Sequence, residues 1–236
     1  TSTQATALRA LVERRATHYP LQYLLGEMEF AGARLHVTPD ALIPRPETED
    51  LVAQARAVVA NRSTALWCAD LGTGGGCISI ALALQLPQSR WWACDISDAA
   101  LQLAARNAAD NGCADRITFC RGDFFDAFAP GLRFDLVTAN PPYVAEDTRL
   151  APELAHEPQV ALFAGNDGLA AYRRIFMNLS QRLAPGGVFV GEMALEQGPA
   201  LRDVAAQNGL PEPEIRPDMT GRPRFVVVRR KQARAG

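Results

Sequence analysis

Apolar residues in the first stretch recur at helical spacing. Ala5, Leu8, Leu11 and Val12 fall within TQATALRALVERRA, residues 3–16, and predict a helix that Pro20 stops before Tyr19. EFAGARLHVTPDALIP, residues 29–44, sets Phe30, Leu35 and Val37 around Gly32 and Pro39, the pattern of a short hairpin-like linker. From residue 65 strands and helices alternate. ALWCADL (65–71) is a continuous apolar run, as a strand covered on both faces requires. A glycine-rich turn and an apolar helix through ISIALALQL follow, then a second strand, WWACD, at 91–95. Ser97 is placed to cap the helix DAALQLAARNAADN, with Leu101, Ala105 and Ala108 along one face and Gly112 past its end. ITFCRGD (117–123) and FDLVTAN (134–140) predict the third and fourth strands. The helix LAAYRRIFMNLSQRLA is expected to stop at Pro185-Gly186-Gly187, ahead of a fifth strand, GVFVGEM, at 187–193. One more helix near 197–208 and two strands, EPEIRP and RFVVVRR, complete the pattern. This alternation predicts an α/β fold with a parallel, doubly wound sheet and ligands at the carboxyl ends of its strands.

Composition narrows the picture modestly. The chain has 236 residues, 48% hydrophobic and 21% charged, ordinary for a globular protein of one large domain plus a small appendage. A formal net charge of −2 gives no basic excess for bulk binding to nucleic acid, and Arg229, Arg230 and Lys231 read as a solvated tail. The five cysteines, Cys68, Cys77, Cys94, Cys113 and Cys120, have no CxxC spacing and read as small residues of a reducing compartment. His18, His36 and His156 form no metal-spaced set, so no metal is expected. No apolar run approaches the roughly 20 residues that span a bilayer, and no secretory signal opens the sequence. The expectation is a cytoplasmic monomer without a membrane partner.

The chemistry lies at the predicted strand ends. Strand one runs into Asp70-Leu71-Gly72-Thr73-Gly74-Gly75-Gly76, where glycines permit positive φ and let a ligand touch backbone at the start of a helix. It is not a phosphate-binding Walker loop, because no Gly-Lys-Ser/Thr follows. Strand two ends in Asp95, suited either to ribose hydroxyls or to capping the helix at Ser97. Strand three ends in Gly122-Asp123-Phe124, where Asp123 can accept from an adenine amine and Phe124 can lie on the ring or in the core; Phe125 reads as core. This ordered set resembles the class I methyltransferases, a Rossmann-like family whose cofactor is S-adenosylmethionine.

Strand four runs into Asn140-Pro141-Pro142-Tyr143. Within that family such a tetrapeptide implies transfer to a planar amide or amine nitrogen. A carboxamide nitrogen is a poor nucleophile, since its lone pair is delocalised. Its NH₂ carries two donors that need two acceptors once buried. The Asn140 side-chain oxygen and the Pro141 carbonyl offer those acceptors, the prolines fix the carbonyl's direction, and Tyr143 packs on the flat group. Asn140, Pro141 and Tyr143 are therefore the expected catalytic residues, with Pro142 completing the substrate site.

Residues 21–50 (LQYLLGEMEFAGARLHVTPDALIPRPETED) and 157–169 (EPQVALFAGNDGL), with NPPY between them, resemble the HemK-type protein-glutamine methyltransferases, which include the release factor enzymes. The resemblance covers the chain from about residue 20 onward. It implies a helical N-terminal segment (1–26), a hairpin linker (27–45) and a seven-stranded methyltransferase domain (46–236). It implies Gly72, Thr73, Gly74, Gly75, Gly76, Asp95, Asp123, Phe124 and Asn140 at the cofactor, and Asn140 to Tyr143 at the glutamine. The implied partner is a bacterial class 1 peptide chain release factor, methylated on its Gly-Gly-Gln glutamine, with no direct nucleic-acid partner. Arg45 and Thr48 either help close the site or anchor the linker, and Glu157 orders the loop after NPPY. The segment before the linker is shorter than the family's usual helical domain; if the chain is a fragment, cofactor binding is expected to persist and substrate affinity to fall. Two other readings share the chemistry: a ribosomal-protein glutamine methyltransferase, and an adenine amino-methyltransferase, which the charge disfavours.

Overall fold

The computed structural model describes residues 2–62 and 64–232. Helices α1 (Ser2–Ala16) and α2 (Leu21–Leu25) lead into a hairpin of β1 (Glu27–Phe30) and β2 (Ala33–His36). Ala31 and Gly32 make its two-residue turn, both at positive φ (46° and 89°), the geometry that matches strand twist. Helix α3 (Pro46–Val59) precedes the main alternation of β3 (Trp67–Leu71), α4 (Cys77–Gln85), β4 (Arg90–Asp95), α5 (Asp98–Asp110), β5 (Ile117–Arg121) and β6 (Phe134–Ala139). Helix α6 (Ala170–Arg182), β7 (Leu183–Glu192), α7 (Gly198–Gln207), β8 (Glu214–Pro217) and β9 (Pro223–Arg229) follow.

The seven-stranded sheet has the order β5-β4-β3-β6-β7-β9-β8. β3 pairs with both β4 and β6, so the chain reverses its direction of winding at β3 and opens a crevice at the carboxyl ends there. One face is covered around Leu51, Val52, Ile80 and Trp91, the other around Phe134, Tyr172, Phe176 and Phe189. Phe125 is in the core, as expected.

Three expectations need correction. The sheet is not wholly parallel: β9 runs antiparallel to β7 and β8 antiparallel to β9, because the apolar pattern of a strand carries no direction. Helix α5 buries Leu103, Ala104, Asn107 and Ala108, while Ala105 is exposed. Alanine on every side gives that helix a low-contrast pattern. The helix α6 ends at Arg182 and β7 starts at Leu183, earlier than the Pro185-Gly186-Gly187 stop suggested. The apolar positions of α1 are not core; Leu8, Leu11 and Val12 are exposed. Helix α3 was not anticipated, although its signals are present: Pro46 in the first turn, Glu47 and Glu49 beside the helix N-terminus, and Leu51, Val52, Ala55 and Val59 buried on one face. Ser97 does cap α5, accepting from the Ala100 N–H at 3.2 Å.

Candidate active site

A cavity of about 320 Å³ sits at the carboxyl ends of β3, β4 and β6, within the size range of small-molecule clefts. Its wall includes Gly72 to Gly75, Asp95, Asp123, Phe124, Asn140 and Pro142. The linker closes one side with Asp40, Ala41 and Leu42, and α6 contributes Ala170, Ala171 and Arg174.

The turn after β3 is built for close approach. Gly72 and Gly74 have φ of 69° and 53°, and the Phe124 ring lies 3.8 Å from where a Gly72 side chain would begin. Gly76 is outside the cavity wall. It caps α4 at φ 85°, and a Cβ there would sit 2.8 Å from Ile80 and 3.1 Å from Ala104, so glycine is required by helix packing. The Thr73 hydroxyl faces inward and donates to Asp70 Oδ2 at 2.6 Å. Asn107, from α5, ties the hairpin to this turn: it accepts from the His36 N–H at 2.8 Å and donates to the His36 and Gly75 carbonyls at 3.1 and 2.9 Å.

Asp95 accepts from the Gly74 N–H and the Ser97 N–H, each at 2.9 Å, one per carboxylate oxygen. Each oxygen keeps a further lone pair, so capping and ligand binding are compatible. Asp123 pairs with Arg174 across the cavity; burial raises its carboxyl and Arg174 opposes the rise.

Asp70, fully buried beneath the turn, also accepts from Thr138 Oγ1 at 2.8 Å. Burial lifts its carboxyl from 3.8 to about 6, against the pull of Thr73 and Thr138. The sign follows from proton counting: between those values the folded state holds the proton more tightly, so stability falls as pH rises. The gap corresponds to on the order of 3 kcal/mol. Asp70→Asn is expected to gain stability relative to the parent as pH goes from 4 to 7 in denaturation midpoints. A pH-independent difference would contradict this.

Asn140 follows the last residue of β6, and its Nδ2 donates to Thr48 Oγ1 at 3.1 Å. Among the described residues no donor reaches its Oδ1. Pro141 is buried and lies outside the cavity wall with Tyr143. The Tyr143 hydroxyl reaches Glu192 Oε1 at 3.4 Å, and burial with the Glu192 charge pushes it up to about 12, so it stays a donor. The main chain beyond it is pinned by parallel pairing of Val144 with Phe163 and by Gln197, whose Nε2 donates to the Tyr143 and Gly168 carbonyls at 3.2 and 3.0 Å.

Arg45 and Thr48 part company. Arg45 pairs with buried Glu157, whose other oxygen accepts from the Ile43 N–H at 3.0 Å, so these two anchor the linker. Thr48 instead touches Asn140. Glu192, Asn107, Gln197 and Asp70 were not anticipated as site residues. Glu192 ends β7 and reads in sequence as a polar residue at a strand terminus; only its burial, 1% exposed, sets it apart.

The family profile for the methyltransferase small domain matches residues 56–167, and one for the PrmC N-terminal domain matches residues 1–26. Among solved structures, the hMettl16 catalytic domain in complex with MAT2A 3′UTR hairpin 6 superimposes with a TM-score of 0.66 at 17% identity, covering 91% of this chain and 81% of that one. The ribosomal protein L11 methylase of Lactobacillus delbrueckii subsp. bulgaricus gives a TM-score of 0.56 at 20% identity, covering 79% of each. At these identities the likeness establishes the class I fold. Curated relatives are much nearer in sequence. The release factor glutamine methyltransferase of Neisseria gonorrhoeae is 42% identical over 220 residues, 92% of this chain and 79% of that protein. Its counterpart in Bordetella pertussis is 43% identical over 217 residues, 91% of this chain and 79% of that protein. With a glycine-rich turn, Asp95, and Asn140 and Pro142 of the Asn-Pro-Pro-Tyr segment on one cavity, and with this identity along most of its length, the chain belongs to the release factor glutamine methyltransferase family.

Proposed function

We propose that this protein methylates the side-chain amide nitrogen of the Gly-Gly-Gln glutamine in bacterial class 1 release factors, and so acts in translation termination. The observation that carries the reading is Asn140: its Nδ2 is tied to Thr48, its Oδ1 meets no protein donor among the described residues, and it stands on the cavity wall. A free acceptor there suits an incoming NH₂.

The cavity fits S-adenosylmethionine. Backbone at Gly72 to Gly75 offers close approach, Asp95 retains acceptor capacity for ribose hydroxyls, and Asp123 with Phe124 forms a polar and aromatic end for adenine. When bound, this cofactor supplies an electrophilic methyl group on a sulfonium. Asn140 Oδ1 and the Pro141 carbonyl would hold the two amide protons of the glutamine and direct its nitrogen. Tyr143 would flank the amide plane. Positioning of this kind can be worth about 7–11 kcal/mol. Among the described residues no helix is long and apolar enough to cross a membrane.

The test is transfer of labelled methyl from S-adenosylmethionine to a purified release factor, beside one with the Gly-Gly-Gln glutamine changed to alanine. Label on the intact factor alone is expected. Label on ribosomal protein or DNA instead would overturn the substrate and leave the fold standing.

A further inference from the structure

Glu192 is a buried carboxylate at the end of the fifth parallel strand, yet the proposed chemistry gives it no contact with cofactor or glutamine. It accepts from Thr48 Oγ1 at 2.8 Å through Oε2 and from the Tyr143 hydroxyl at 3.4 Å through Oε1. Tyr172, from α6, donates to its main-chain carbonyl. Burial raises its carboxyl, and Glu47 adds to the rise, while the Thr48 hydroxyl, Arg224 of β9 and the Tyr143 hydroxyl pull the other way and favour the carboxylate. Its charge also acts on the hydroxyls of Tyr143 and Tyr172 and on the thiol of Cys77, holding each in its protonated form.

Donor counting then fixes a direction. A carboxylate only accepts. The single hydroxyl proton of Thr48 is therefore committed to Glu192. Thr48 Oγ1 is left with acceptor capacity alone, and Asn140 must turn its Nδ2 toward it, as it does at 3.1 Å. Oδ1 then faces away from Thr48, with no protein donor among the described residues. We infer that Glu192 is a positioning residue which, through Thr48, sets the sense of the Asn140 amide so that an acceptor rather than a donor is offered to the substrate's NH₂. The inference rests on the proposed reading of the site.

The isosteric change Glu192→Gln tests this with little change of volume. A glutamine amide can donate to Thr48 Oγ1, which frees the threonine proton to donate to Asn140 Oδ1. The Asn140 amide reverses and sets NH₂ against NH₂. The expected result is a loss of about 10- to 100-fold in kcat for release factor methylation, with S-adenosylmethionine affinity by calorimetry largely kept. Thr48→Val should cause a comparable loss, and Thr48→Ser should restore most of it. In the Thr48→Val background, Glu192→Gln should add little, because the relay is already cut. Independent, additive losses in the double variant, or unchanged kcat in Glu192→Gln, would overturn the inference. A second readout needs no substrate. In ¹⁵N-labelled protein the Asn140 side-chain NH₂ should show a nuclear Overhauser contact to the Thr48 methyl, and Glu192→Gln should lose it. If the parent protein fails to methylate release factor, the functional reading falls, and this contact still decides the relay: its persistence in Glu192→Gln refutes it.

Discussion

Replacing Asn140 with alanine is expected to lower methyl transfer to the release factor by about 5- to 150-fold, with a much smaller loss of S-adenosylmethionine affinity. The reasoning is local. Asn140 follows β6 directly, its Nδ2 is spoken for by Thr48, and its Oδ1 meets no protein donor among the described residues and stands on the cavity wall. Removing it leaves one amide proton of the docked glutamine buried and unpaired, a cost of about 1–3 kcal/mol. Single-turnover transfer and calorimetric binding of S-adenosylmethionine separate the two effects. Equal losses in both would assign Asn140 to the cofactor alone and remove its role in holding the glutamine.

The second large effect is expected at Gly168. Its φ is +70°, and a Cβ there would fall 2.3 Å from the Tyr143 carbonyl oxygen and 2.9 Å from Gln197 Nε2. The first of these neighbours is backbone, so no rotamer change relieves the clash. Strain and overpacking together suggest that Gly168→Ala destabilises the fold by about 2–5 kcal/mol and shifts the Asn-Pro-Pro-Tyr segment. Gly165 is an internal comparison: its φ is +75°, but the nearest atom to a Cβ is Ala170 Cβ at 3.5 Å. Gly165→Ala should cost only about 1 kcal/mol, for conformation alone. Chemical denaturation of the two variants reads the difference. Equal midpoints would mean that the close approach to Tyr143 contributes nothing.

The parts of the site visible in sequence are those written in one continuous stretch. Gly72-Thr73-Gly74 declares itself because positive φ excludes most side chains, and Asn140 to Tyr143 because two prolines after an asparagine restrict the backbone. Strand-end carboxylates such as Asp95 follow from counting along an alternating fold. What supports these residues was not legible, since each supporting partner is distant along the chain. Thr48 is marked by the family resemblance alone, since the apolar pattern assigns no element to its helix α3, and Asn107 sits among alanines that blur the face of α5. Glu192 shows no local sign of function, because its meaning is burial and contact with segments far earlier in the chain. The antiparallel β9 was hidden for a related reason: strand polarity is decided by connections, not by the residues of the strand.

The path from Glu192 through Thr48 to Asn140 joins residues 144 and 92 positions apart. That separation gives the site a history in time. A chain elongating at about 5–20 residues per second carries Thr48 and then Asn140 seconds before residue 192 exists. During that interval the glycine-rich turn and Asp95 are already made, while the asparagine has no carboxylate to orient it. By the relay inferred above, the orientation of the Asn140 acceptor is therefore among the last features of the cavity to mature during synthesis, since it waits for β7 to enter the sheet.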